Sequence, residues 1–166
     1  MMSSKPNWLP NLVCLEDYNG NWAKYVKIIY EYFENDFIKS KPRFMNTDVT
    51  LIKGDYYKNK HPTFWHIIST GPTEEDSNPD FRRCERIRWP RAIIENHDYS
   101  GILEWEKQIR NQQRVLLWLK DYDYLVILAK RKGYFLLWTA YNIKYENKKR
   151  DLKKEYDSYK KQVPPN

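Results

Sequence analysis

The stretch Tyr124–Tyr141, YLVILAKRKGYFLLWTAY, decides how this chain folds. Two almost wholly apolar runs flank the basic turn Lys130-Arg131-Lys132-Gly133, and the second run ends in the polar Thr139-Ala140-Tyr141. Short apolar runs bounded by turn residues read as strands buried on both faces. Gly133 can adopt positive φ, so the pair reads as a hairpin. Strict alternation along the second strand is expected to put Phe135, Leu137, Thr139 and Tyr141 on one face. Two hydroxyls would then follow two core residues at the strand's end, where a buried sheet can open into a site.

Upstream, Arg114–Leu119 (RVLLWL) is followed by the turn Asp121-Tyr122-Asp123 and reads as a strand that completes a meander with the hairpin. Ile102–Ile109 reads as helical through Ile102, Trp105, Glu106 and Ile109. Thr63–Ser69 (TFWHIIS) is rich in β-favouring types and is expected to be a strand, as is the short alternating Asp48–Lys53. Asn21–Ile38 is the clearest helix: Trp22, Tyr25, Val26, Ile29, Phe33 and Phe37 make one apolar stripe, with Asn19 or Asn21 as cap. Asn78-Pro79-Asp80 reads as a helix start, leading into a basic helix that Pro90 should kink or restart. Glu146–Lys161 reads as a surface helix. The expected architecture is α+β: an antiparallel sheet of four to five strands, with the N-terminal, basic and C-terminal helices packed on it. Residues 1–20 are expected to be an extended arm and 21–163 a single domain.

A net charge of +7, with 31% of residues charged, favours polyanionic partners, chiefly nucleic acid. The 7 Trp and 14 Tyr can fill a small core by area, or stack on unpaired bases. Cys14 and Cys84 have no metal spacing and make no disulfide framework, so a reducing cytoplasm is the expected location. No apolar segment approaches the roughly 20 residues needed to span a bilayer, so no membrane partner is expected.

With no glycine-rich phosphate loop, HExxH or CxxC, neither a cofactor nor a metal is expected. Glu74-Glu75-Asp76 reads as a turn. His61 and His97 read as solvated. His66, read as mid-strand and sharing a face with Phe64 and Ile68, would ordinarily be a core histidine bonded to a carbonyl. Its functional reading comes from its company. Phe81–Arg91 (FRRCERIRWPR) carries Arg82, Arg83, Arg86, Arg88 and Arg91 against the single acid Glu85. Arginine's fork matches phosphate oxygens. Arg114, Lys130 and Arg131 are further candidates for tracking a backbone. A set of His, Arg, Thr and Tyr suits RNA cleavage by the 2′-hydroxyl, because the substrate brings its own nucleophile.

The order TFWHIIS, RCERIRW, an Arg-led strand, YLVIL…YFLLWTAY and a Lys-rich helix resembles phage-associated nucleases of the barnase–EndoU–colicin–RelE-like superfamily over about residues 49–160. The resemblance implies a metal-independent endoribonuclease yielding a 2′,3′-cyclic phosphate. It makes His66 the general acid or base, Arg86 or Arg88 a phosphate clamp, and Thr139 and Tyr141 a substrate-orienting pair, with Arg114 as a further contact. It also implies a toxin or antiphage effector with RNA as target and a cognate antitoxin or immunity protein as partner. Two other readings fit the same composition: a non-catalytic nucleic-acid-binding module, and an interaction protein that inhibits a host target.

Overall fold

The computed structural model describes residues 4–71 and 78–163, within which the apolar patterns settle into five α-helices and eight strands. Helix α1 (Trp22–Phe33) is capped by Asn21, whose side chain accepts from the Lys24 N–H at 3.1 Å. It widens into a π turn over Glu34–Ile38, and Tyr25, Ile29, Phe33 and Phe37 are buried along the stripe. Strands β1 (Arg43–Phe44) and β2 (Thr47–Thr50) follow, then α2 (Pro62–Ile68). A two-stranded ribbon of β3 (Ser69–Thr70) and β4 (Asn78–Pro79) leads to α3 (Phe81–Glu85) and α4 (Trp89–Glu95). Strands β5 (Ile102–Ile109), β6 (Gln112–Leu119), β7 (Tyr124–Arg131) and β8 (Tyr134–Asn142) form the meander, and α5 (Glu146–Gln162) closes the described chain.

The fold is α+β, with a six-stranded sheet in the order β1-β2-β8-β7-β6-β5. It is mixed and wider than the expected antiparallel sheet of four to five strands, because β2 joins β8 in parallel. One face packs on α1, α2 and α4 through residues such as Phe33, Phe64, Ile93, Leu117 and Val126. The other packs on α5 through Trp105, Leu116, Trp118, Leu125 and Leu152. Residues 4–20 run along this body: the Val13 N–H donates to the Glu85 carbonyl, the Trp89 indole to that of Pro10, and the Tyr25 hydroxyl to that of Val13.

Two element types differ from the sequence reading. Residues 63–69 are mostly helix, not strand. His61 caps α2 by accepting the Thr63 N–H on Nδ1 at 3.0 Å, and Pro62 occupies the first turn, where proline is favoured. Phe64, Ile67 and Ile68, at helical spacing, bury their side chains, and Phe64 packs edge-on to Tyr30 of α1. Tertiary packing overrides β propensity here. Residues 102–109 are strand, not helix. They pair with β6 across the two-residue turn Arg110-Asn111, both at positive φ, as a type I′ hairpin requires. Pro90 does restart a helix, but the basic segment breaks earlier, between Glu85 and Trp89. The acids Glu74-Glu75-Asp76 lie outside the described residues.

One irregularity sets the geometry of the site. In the β7–β8 ladder Leu128 opposes Leu137 while Ile127 opposes Thr139, so Trp138 is an extra residue, a β-bulge. Phe135 and Leu137 therefore join the helix-packed core, while Tyr141 packs with the α5 side. Thr139, opposite Ile127, shares that side. The expected common face of these four residues is overturned by the bulge.

Candidate active site at an open sheet edge

Strand β2 meets β8 only at Val49–Phe135 and Thr50–Leu136. Beyond that point no strand in the described residues covers the outer edge of β8, and α2 and α3 lie along it instead. Such an edge concentrates polar backbone beside whatever side chains the helices present.

His66 sits on the side of α2 away from Phe64, Ile67 and Ile68, and is exposed. It is neither mid-strand nor a core histidine. With Pro62, Thr63, Gly54, Asp55 and Trp138 it lines a cavity of about 510 Å³ between α2 and the loop after β2. The protein crowded around the ring, and then the charge of Arg83, lower its pKa below the ordinary 6.5. The imidazole is therefore held neutral at physiological pH, the form that accepts a proton.

Arg83 links α3 to this edge. Its Nη1 donates to the Ser69 carbonyl at 2.9 Å, and its guanidinium lies 5.5 Å from the Tyr141 ring centroid. Burial raises the Tyr141 pKa above the usual 10, which Arg83 partly opposes, so the phenol stays protonated. The base of α3 is pinned by Asp80, which accepts the Arg82 N–H at 3.0 Å and the Lys144 ammonium at 2.8 Å. Burial raises the Asp80 pKa, but Lys144 and the Arg82 and Arg83 N–H groups outweigh it and hold the carboxyl below its ordinary value.

The other expected residues are dispersed. Arg86 turns back, donating to the Arg82 carbonyl, pairing with Glu85 at 3.6 Å and stacking over Trp89. Arg88 lies over Tyr32, and Arg91 binds Glu95, the Asp36 carbonyl and Ser40, so both fasten α4 to α1 and its π turn. Arg82 is exposed on α3, and Lys130 is exposed near the tip of the β7–β8 hairpin beside Arg131. Arg114 is buried, with its guanidinium 3.9 Å from the Trp138 ring centroid. The other two histidines depart from the solvated reading: His61 is buried as the α2 cap, and His97 is half-buried with Nδ1 2.7 Å from Glu104.

Two features were not singled out from sequence. Arg83 stood among equals in a run of arginines, yet it is the one whose field reaches both His66 and Tyr141. Trp138 looked like scaffold, because nothing in LLWTAY announces a bulge. As to metals, Cys14, Glu16 and Glu85 bring one ligand atom each within 4.8 Å of one another. The Cys14 thiol has its pKa raised, by burial and then by Glu85. No family model, curated protein or solved structure matches the chain.

Proposed function

We propose that the open edge of β8 is the active site of a metal-independent endoribonuclease, as the resemblance to the barnase–EndoU–colicin–RelE-like superfamily implies. The observation that carries the reading is the position of Arg83, which donates to the Ser69 carbonyl at the end of the helix bearing His66 and lies 5.5 Å from the Tyr141 ring centroid across the same edge. A base, a cation and a hydroxyl donor are the three parts that 2′-hydroxyl attack needs.

In this reading His66 takes the 2′-hydroxyl proton, and the 2′-oxygen attacks phosphorus. Arg83 neutralises the phosphorane oxygens. The bond to the 5′-oxygen breaks as Tyr141 supplies its proton, leaving a 2′,3′-cyclic phosphate and a 5′-hydroxyl, and the His66 imidazolium then gives up its proton to water as the Tyr141 phenolate takes one back, which restores both groups. Thr139 orients the substrate from the same side of the sheet as Tyr141. Arg86 is left out of the clamp, because its Nη1 is turned to Glu85 and the Arg82 carbonyl and its guanidinium lies over Trp89, away from the open edge of β8.

The test is cleavage of mixed RNA in excess chelator. Native protein is expected to release cyclic-phosphate ends, and His66→Ala to lose about 100- to 10,000-fold of that rate, the usual span of a general base. An undiminished His66→Ala rate would sink the assignment. Salt-steep RNA binding with no turnover would instead support the non-catalytic binding module.

A further inference from the structure

The strongest unexplained feature outside the proposed catalytic set is Arg114. It is only 5% exposed, and its Nη1 is buried with no hydrogen-bond partner among the described residues. No carboxylate among them forms an ion pair with it either. Leaving a guanidinium in this state is costly, because a buried cation normally needs both a counter-charge and filled donors. Repulsion adds to the cost: burial, and then the nearby charge of Arg131, lower the Arg114 pKa. Across the sheet Lys107 faces Arg114 in register, but Lys107 already holds Glu155.

The surroundings supply a place for the missing anion. Ile109, Arg110, Gln112, Arg114 and Trp138 line a groove of about 450 Å³. The Arg114 guanidinium carbon lies over the indole, 3.9 Å from the Trp138 ring centroid. Stacking uses the faces of a guanidinium and leaves its in-plane N–H edges to meet an anion, the geometry in which arginine holds phosphate. Trp138 also lines the His66 cavity, so one side chain divides the two concavities.

We infer that Arg114 and Trp138 form a second phosphate subsite, one nucleotide removed from the site at His66, and that the ligand crossing Trp138 is single-stranded RNA. A splayed strand can place neighbouring nucleotides on either side of an indole and stack a base on it, which a paired duplex cannot. The role of His66 in this picture rests on the nuclease reading. The phosphate contact at Arg114 does not.

The experiment measures binding of uncleavable 2′-O-methyl RNA by fluorescence anisotropy, comparing a dinucleotide with a trinucleotide. Native protein is expected to bind the longer ligand about tenfold more tightly, as a charge-assisted phosphate contact supplies. Arg114→Met, which keeps the stem volume, should erase that increment and reduce the salt slope by about 0.7, the value for one phosphate on a single strand. Arg114→Lys should keep the slope and lose most of the increment. If Arg114→Met fails to fold, the native protein still decides. Inorganic phosphate should raise its melting temperature at matched ionic strength, and no rise overturns the subsite. An increment that survives in folded Arg114→Met, or a duplex bound as tightly as the single strand, also overturns it. RNA that is never cleaved while the increment persists sinks the nuclease reading and leaves the subsite standing. Cleavage that depends on His66 but shows no increment does the reverse.

Discussion

At the scale of single residues, the imidazole of His66 is the group whose titration should be visible. It acts as base only when neutral, and both its crowded setting and Arg83 hold its pKa below 6.5. The acid limb of kcat/KM, which reports the free enzyme, is therefore expected to fall below pH 6.5. Removing the Arg83 charge lets the imidazole hold its proton more tightly, so Arg83→Met should move that limb to higher pH as well as slow turnover. A pH–rate profile of both proteins checks this, and an unmoved limb would separate Arg83 from His66. Asp36 offers a contrast in sign. Burial raises its carboxyl to about 6, against the lowering effect of Arg91. Between 3.8 and about 6 the folded protein holds a proton that the unfolded chain does not. The stability it contributes is therefore complete at the acid end and lost as pH rises through that window. Asp36→Asn should remove this component from a melting-temperature profile.

At the scale of elements, α2 and the β8 bulge carry the site, and both explain where sequence reading stopped. The helical spacing of Phe64, Ile67 and Ile68 was present in TFWHIIS, but β-favouring side chains outweighed it. Only the contact with Tyr30 and the His61 cap decide for helix. The cap makes α2 acid-labile. His61 accepts the Thr63 N–H on Nδ1, which a protonated ring cannot do, and burial lowers its pKa, as crowding does for His66. The unfolded chain takes up these protons first, so stability is intact above about 6.5 and drains away as pH falls through the lower folded values. His61→Asn keeps a capping oxygen and should flatten this loss, read as melting temperature between about pH 7.5 and about pH 5. For the bulge, deletion of Trp138 joins Leu137–Leu128 directly to Thr139–Ile127 and leaves Thr139 and Tyr141 on their present face. Native-like circular dichroism with the Arg114 contact gone is the expected outcome. Misfolding would show that the indole is needed for the sheet itself.

At the scale of the whole molecule, the parts that rest on long periodic runs were legible: α1, the β6–β7–β8 meander, α5 and the α+β class. The sheet's outer half was not, because the β2–β8 pair joins residues with no local relation, and the β5–β6 hairpin hid behind Arg110-Asn111. That turn belongs to a set. Met45-Asn46 and Lys58-Asn59 also take positive φ at both positions, so in a chain with only 5 glycines asparagine supplies the left-handed residue of tight turns. Of the site, the residue types were legible and their convergence was not, since it depends on a helix, a break after Glu85 and a bulge. If the whole protein acts as the proposed toxin, expression in a bacterium should arrest growth and His66→Ala should not, as colony counts would show. The parallel pairing of Val49 with Phe135 has a further consequence during synthesis. Residues up to Thr50 leave the ribosome well before the strand that receives them. At roughly 5–20 residues per second, β2 waits on the order of 4–17 s for Leu136. Throughout that interval β2 has only β1 to pair with, so the β1–β2 hairpin cannot enter the main sheet until β5, β6 and β7 have all been made.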